Sequence, residues 1–388
     1  VIIRSLLDTD LYKLTMMQAI LHHFPSAQAE YQFRCRTPGV NLSPYVHAIH
    51  AEVEALADLR LEAAEFAWLG TLPYFKPDFL AHLERYRFDP RQVTIRPGSK
   101  QIEITIRGPW HGAILYEVPL LAIVNEIYFR SLHPHPDPGE GLSRLGRKAE
   151  LMRRAGPDFR VIEFGTRRRF SRSWHEKVLR ELYRLAPAQL LGTSNTDLAR
   201  RLHIPPSGTM AHEFFQGCQA LAPTLVEAQR FALETWLDEY AGLLGIALSD
   251  TYGIEPFLAD FSAPLARAYT GVRHDSGDPF EWTERMLDHY RCCGIDPREK
   301  TLVYSDSLSV PRALEIFTRY HHHARLAFGI GTNLTNDLGP APLNIVIKMT
   351  RLNGQAVAKL SDDPAKAISP DPAYLDYLRK VYRRKVAV

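Results

Sequence analysis

The stretch "AYTGVRHDSGDPFEW" (Ala268–Trp282) contains, in miniature, the pattern that decides the fold. A short apolar run, "AYTGV", leads into a polar turn, "RHDSGD". Asp278 and Glu281 then stand three residues apart, with Pro279 between them. An acidic cap, a proline at the first helical position and a second acid within the first turn predict a helix start. Strand, polar turn and helix make one βα unit.

The same order recurs on both sides of this stretch. After about residue 160 the apolar runs are "VIEF", "QLLGT", "GIALSD", "AYTGVR", "TLVYS", "RLAFGIG" and "NIVIKM". Most are followed by a turn and a helical stretch, which predicts parallel strands with helical crossovers. Seven runs in about 190 residues suit an irregular (β/α) barrel, and an open doubly wound sheet is the alternative. Upstream, residues 1–135 mix helix and strand signals. "TDLYKLTMMQAILHHF" reads as a helix capped near Asp8, Thr9 or Asp10, and "QIEITIRGPW" alternates as a strand with Ile102, Ile104 and Ile106 on one face. "LLAIVNEIYFRSL" reads as a buried helix, and "HPHPDPGEG" as a loop or domain junction. These signals predict an N-terminal α/β domain over 1–135 and a barrel over 136–349.

Composition narrows the class. The 388 residues are 45% hydrophobic and 23% charged, with a net charge of +3 and both signs mixed. Such a chain builds a core. It carries no long basic tract, so no nucleic-acid partner is expected, although a basic pocket for a small anion is open. Four cysteines without a CxxC pair argue against a disulfide framework and for a reducing, cytoplasmic setting. No run of about 18 apolar residues is found, so no membrane span is expected.

The chemistry gathers in the turns after the runs: "FGTRRRFS" (164–171), "GTSNTD" (192–197), "SDTYG" (249–253), "RHDSGDP" (273–279), "YSDSL" (304–308) and "FGIGTN" (328–333). In a barrel they share one face, where active sites lie. Several residues in them also fit helix caps, as Ser194 with Asp197 does. Asp275 and Ser276 are not needed for capping. In an extended segment Arg167 and Arg169 share a face, from which one can grip a carboxylate or phosphate. Lys348, inside the apolar "VIKM", needs an anionic partner. The "YHHHARL" histidines (His321–His323) cannot all face one ion, and no structural metal is expected. "PPSGTMAHEFFQG" (205–217) places His212 in the first turn of a helix capped by Thr209. A helix start disfavours a protonated imidazole and favours a phosphoryl group on it. Capping its own helix is the plain alternative role.

Taken in order, "TDLYKLTM", "FGTRRRFS", "GTSN", "GTMAHE", "HDSGDP", "YSDSL", "FGIGTN" and "VIKM" resemble the nicotinate phosphoribosyltransferase family over nearly the whole chain. The resemblance implies an irregular α/β barrel packed with a smaller α/β domain, to which a C-terminal segment (about 350–388) contributes. It implies phosphoribosyl transfer from 5-phosphoribosyl 1-diphosphate to nicotinate in NAD biosynthesis, coupled to ATP hydrolysis through a phosphohistidine, an activity of the ligase class. Magnesium would bind with substrate near Asp275. A homodimer is implied as well, since relatives build the site across subunits.

Carried onto this sequence, the resemblance makes His212 the phosphorylated residue. Asp250 and Asp275 join it as catalytic residues. Phe164 and Tyr12 become aromatic walls for the pyridine ring, Arg167 a phosphoribosyl contact and Arg273 a carboxylate contact. Asp250 and Asp306 line the same mouth, Ser276 binds substrate, Gly331 and Thr332 hold the 5-phosphate, and Lys348 and Lys359 contact phosphates. Ser194 stands where nicotinamide-using relatives carry aspartate, and a serine there would not repel nicotinate. The decarboxylating quinolinate enzyme needs no such histidine, and a sugar-phosphate aldolase would need a Schiff-base lysine, for which only Lys348 offers itself.

Overall fold

A computed structural model describes residues 1–98, 101–363, 369 and 371–386. The architecture is α/β, with parallel strands joined by helices and a separate, mainly antiparallel sheet. The strands are β1 (Gln28–Cys35), β2 (Val93–Pro97), β3 (Ile102–Pro109), β4 (Arg160–Glu163), β5 (Leu190–Thr193), β6 (Ile246–Leu248), β7 (Gly271–His274), β8 (Thr301–Tyr304), β9 (Arg325–Ile330), β10 (Ile345–Leu352) and β11 (Gln355–Ala356).

The chain divides into two units. One holds residues 1–26, 30–208 and 330–348; the other holds 27–29, 209–329 and 349–388. The expected boundary near residue 135 falls inside the first of these.

In the first unit β2 and β3 pair antiparallel from Val93↔Ile106 to Pro97↔Ile102, and β3 lies beside β1. Ile102, Ile104 and Ile106 are all buried while Glu103 and Arg107 are exposed, as the alternation predicts. β4 and β5 pair parallel. The segment Trp110–Leu132 is continuously helical, with a mean hydropathy of 1.4 over its most apolar window. Its length and composition would let it cross a membrane, contrary to the reading above. Yet 94% of that window is buried inside the protein, as befits a core helix.

In the second unit β6, β7, β8 and β9 stand side by side and parallel, aligned at Ile246↔Gly271, Gly271↔Thr301 and Thr301↔Arg325. Gly271 permits the close approach, since a Cβ there would lie 2.0 Å from the Thr301 carbonyl oxygen. The crossover helix Pro279–Cys292 starts as predicted. Asp278 caps it, accepting from the Phe280 and Glu281 N–H groups, and Pro279 opens it. The C-terminal helix Pro372–Val386 buries Leu378 and Tyr382, and the Tyr382 ring stacks on Tyr252 at 4.0 Å and 11°.

One run departs from the expected pattern. "NIVIKM" is not a seventh parallel strand. It forms β10, which lies beside β1 and pairs antiparallel with β11 at Arg351↔Ala356. Buried and half-buried residues alternate from Ile345 to Lys348, the mark of a sheet with one open face. β8 and β9 are instead buried in continuous runs.

Candidate active site

Within the second unit, the ends of β6 and β7 and the start of the helix His212–Cys218 bring ionisable groups together. His212 opens that helix, and Ala211, in extended conformation, is its N-cap. Thr209 is therefore not the cap. Its hydroxyl donates to the Ile246 carbonyl at 3.1 Å, tying the preceding loop to β6. His212 Nε2 lies 2.7 Å from Asp250 Oδ1 and 3.7 Å from Asp275 Oδ2. The other Asp250 oxygen accepts from Lys359 Nζ and from the Ser276 hydroxyl, each at 2.5 Å. Asp250 is fully buried and Lys359 is 4% exposed.

These neighbours set the charges. Burial pushes the His212 pKa down to about 4, Lys359 adds to the effect, and Asp250 and Asp275 only partly oppose it. The ring is neutral near pH 7. The helix start was expected to keep it so, but burial is the largest cause. Burial alone would raise Asp250; the imidazole and Lys359 overcome it and hold the carboxyl well below its usual range. With Nε2–H donated to that carboxylate, Nδ1 carries the lone pair.

Asp275 stays partly open, its side chain 29% exposed, and accepts from the Ser305 hydroxyl at 2.8 Å. Burial would raise its pKa as well, but His212, Arg273 and Lys359 together draw it down, against Asp250. Asp306 is half-buried one residue beyond Ser305. Arg273, on β7, keeps a buried Nε without a hydrogen-bond partner among the described residues. That donor fits an anion brought from outside. Ser276 is 1% exposed, and its hydroxyl is committed to Asp250.

The second set of polar groups lies within the first unit. Ser194 does not cap its helix; Asn195 does, accepting from the Leu198 N–H. The Ser194 hydroxyl donates to Asp10 Oδ1 at 2.6 Å, and its carbonyl accepts from the Leu11 N–H. Residues 166–168 form a 3-10 turn rather than an extended segment, so Arg167 and Arg169 part ways. Arg169 is fully buried and grips both Asp8 oxygens, at 2.6 and 2.8 Å. Arg167 is half-buried, 3.3 Å from Glu117 and 6.0 Å from the Tyr12 ring centroid. Phe164 is half-buried, and its N–H donates to the Ile330 carbonyl. Gly331 precedes the short helix Thr332–Thr335. Lys348 is half-buried, and its charge helps to lower the Glu117 pKa.

Several members of this cluster escaped the sequence reading. Lys13 is fully buried, 2.5 Å from Glu117. It sits in the apolar run "LYKLTMM", the same signal that singled out Lys348. Asp8 and Asp10 stand where the sequence suggests cap residues. Asp10 does hold the N-cap position, but its side chain makes no capping bond. Glu163, at the end of β4, accepts from the Thr193 hydroxyl at 2.6 Å and faces His175 at 2.8 Å.

The nicotinate phosphoribosyltransferase (NAPRTase) family model matches residues 159–386, and that of the family's N-terminal domain matches residues 7–125. The chain belongs to this family. It is 55% identical over 385 residues to a nicotinate phosphoribosyltransferase of Cupriavidus necator, with 98% of each chain covered. To that of Bordetella petrii it is 54% identical, covering 98% of this chain and 99% of the relative. Among solved structures, the Vibrio cholerae nicotinate phosphoribosyltransferase superposes with a TM-score of 0.94 at 41% identity, covering 98% of this chain and 94% of that one. The Porphyromonas gingivalis enzyme gives 0.95 at 35% identity, covering 98% and 100%.

Proposed function

We propose that the protein transfers a phosphoribosyl group from 5-phosphoribosyl 1-diphosphate to nicotinate, and that ATP drives the reaction through a phosphorylated His212. Family membership supports the transfer. The observation that carries the coupling is the buried, neutral imidazole held by Asp250, itself anchored by Lys359.

In this reading His212 Nδ1 attacks the γ-phosphorus of ATP. The N–P bond forms as the bond to the bridging oxygen breaks, and ADP leaves with that electron pair. The imidazole gains positive charge, which the Asp250 carboxylate balances across the Nε2–H bond. In the transfer, the pyridine nitrogen of nicotinate forms a bond to ribose C1 as the bond to diphosphate breaks. Water then takes the phosphoryl group from His212 as inorganic phosphate and restores the ring.

The other residues serve binding. Tyr12 and Phe164 offer ring faces to the flat pyridine. Arg273 suits a carboxylate, and Arg167 and Lys348 suit phosphate. Gly331 and Thr332 offer backbone N–H groups to the 5-phosphate, and Asp306 serves as a substrate contact just beyond β8. Magnesium fits Asp275 best, because that carboxylate is partly open, whereas both Asp250 oxygens are taken. When bound it would offset charge on the diphosphate.

The test is incubation with ATP labelled at the γ-phosphoryl group. Wild type should incorporate label at His212, and His212→Asn should take up none while keeping its fold. Label retained by that variant would overturn the coupling.

A further inference from the structure

The segment from Ala358 to Asp363 runs past the turns that follow β6 and β7, and its contacts converge on one hydroxyl. Ser276 Oγ accepts from the Ser361 hydroxyl at 2.9 Å and from the Asp362 N–H at 3.2 Å. A serine hydroxyl has two acceptor sites and one proton. With both acceptor sites filled, the proton has one destination, Asp250 Oδ2 at 2.5 Å. The Asp363 N–H donates in turn to Ser361 Oγ at 3.3 Å, so the bonds run in one direction towards Asp250. Aligned bonds of this kind polarise one another.

The turn is anchored by the Asp362 side chain. Its Oδ1 accepts from the Ile254 N–H at 2.9 Å, at the start of the helix Ile254–Asp260. Two glycines make room for it. Gly253 has φ +100° and Gly277 has φ +84°, and a Cβ on either would come within 3.0 Å of Asp362. Ser361 itself has φ +64°, a conformation a serine rarely adopts. Such strain persists where the surroundings over-determine it.

We propose that Asp362 is a positioning residue for the His212–Asp250 pair. It seats the Ser361–Asp362 turn, which aims the Ser276 proton at Asp250 and so fixes the carboxylate that orients the imidazole. The proposal rests on the assignment of His212 and Asp250 to the reaction. Asp362 touches no reacting atom in it.

The test compares Asp362→Ala, Asp362→Asn, Ser276→Ala and the double variant Asp362→Ala/Ser276→Ala. Nicotinate mononucleotide formation is read together with backbone amide exchange. Asp362→Ala should lower kcat/KM about tenfold or more, mostly through kcat, the scale of a lost hydrogen bond to a charged group. Its Ile254 amide should exchange faster while the β7 and β8 amides stay protected. Asp362→Asn keeps an oxygen for the Ile254 N–H and should recover to within about threefold of wild type. The double variant should be no slower than Ser276→Ala, because both changes break one path. Multiplying effects in the double variant would overturn the proposal, as would an Asp362→Asn as slow as Asp362→Ala, or full activity in Asp362→Ala. A wild type that forms product yet takes no label from ATP would count against the phosphohistidine alone, since the comparison of the Asp362 and Ser276 variants and the Ile254 exchange are read without the label.

Discussion

The protonation of His212 gives the sharpest prediction. An unfolded histidine titrates near 6.5, and the folded ring near 4. For a base whose pKa is depressed by folding, the unfolded state binds the proton first. The protein is thus stable with respect to this group above pH 6.5, loses stability as the pH falls towards 4, and loses no more below that. At pH 5 the unfolded ring is protonated and the folded ring is not, a penalty of about 2 kcal/mol. His212→Asn removes the titrating group. Urea unfolding at pH 7.5 and pH 5 should therefore show wild type losing about 2 kcal/mol more than the variant. The ring carbon-bound proton of His212, assigned by its absence in the variant, should titrate in nuclear magnetic resonance near pH 4. A midpoint near the ordinary histidine value, with equal losses in both proteins, would refute the reasoning. It would mean that water or Asp250 compensates the charged ring.

Other consequences can be checked with similar economy. Arg169→Met leaves Asp8 buried without its bidentate partner and should cost roughly 3–5 kcal/mol in denaturant unfolding. Ser194→Asp would set a second carboxyl against Asp10, so kcat/KM for nicotinate should fall by about tenfold or more; an unchanged value would remove Ser194 from the account of substrate choice. Burial pushes Asp362 up to about 6, and Asp250 adds to the shift. A carboxyl raised by folding destabilises the protein above its folded pKa and ceases to do so below its unfolded one. Asp362→Asn should then be more stable than wild type at pH 7.5, by an amount on the order of 2 kcal/mol that vanishes near pH 4 in parallel thermal scans.

Much of the site was legible because its residues follow apolar runs directly. Asp250, Arg273, Asp275 and Asp306 announce themselves as polar residues at or just beyond the ends of parallel strands. His212 stood out because a histidine in a first helical turn raises a question of charge. Its real surroundings were not legible, because Lys359 lies 109 residues from Asp250 and no local pattern joins them. The cluster around Asp8, Asp10, Lys13 and Glu117 was hidden by ambiguity. Acids before an apolar helix look like caps, and only the fold brings Arg169 to Asp8 across 161 residues. The β10 misreading has a simpler cause. A six-residue apolar run does not reveal whether both of its faces are covered, and the sheet it joins depends on that.

The stacked pair Tyr252 and Tyr382 ties the end of the chain to the chemistry. Tyr252 stands two residues after Asp250, and its hydroxyl donates to the Phe215 carbonyl at 2.9 Å, three residues after His212. The helix Pro372–Val386 is thus linked, through Tyr252, to the turns that carry the histidine and its aspartate. Trimming by a carboxypeptidase past Tyr382 would strip one face from the Tyr252 ring and loosen both turns together. A molecule clipped there would keep most of its mass and should lose product formation before it loses its fold.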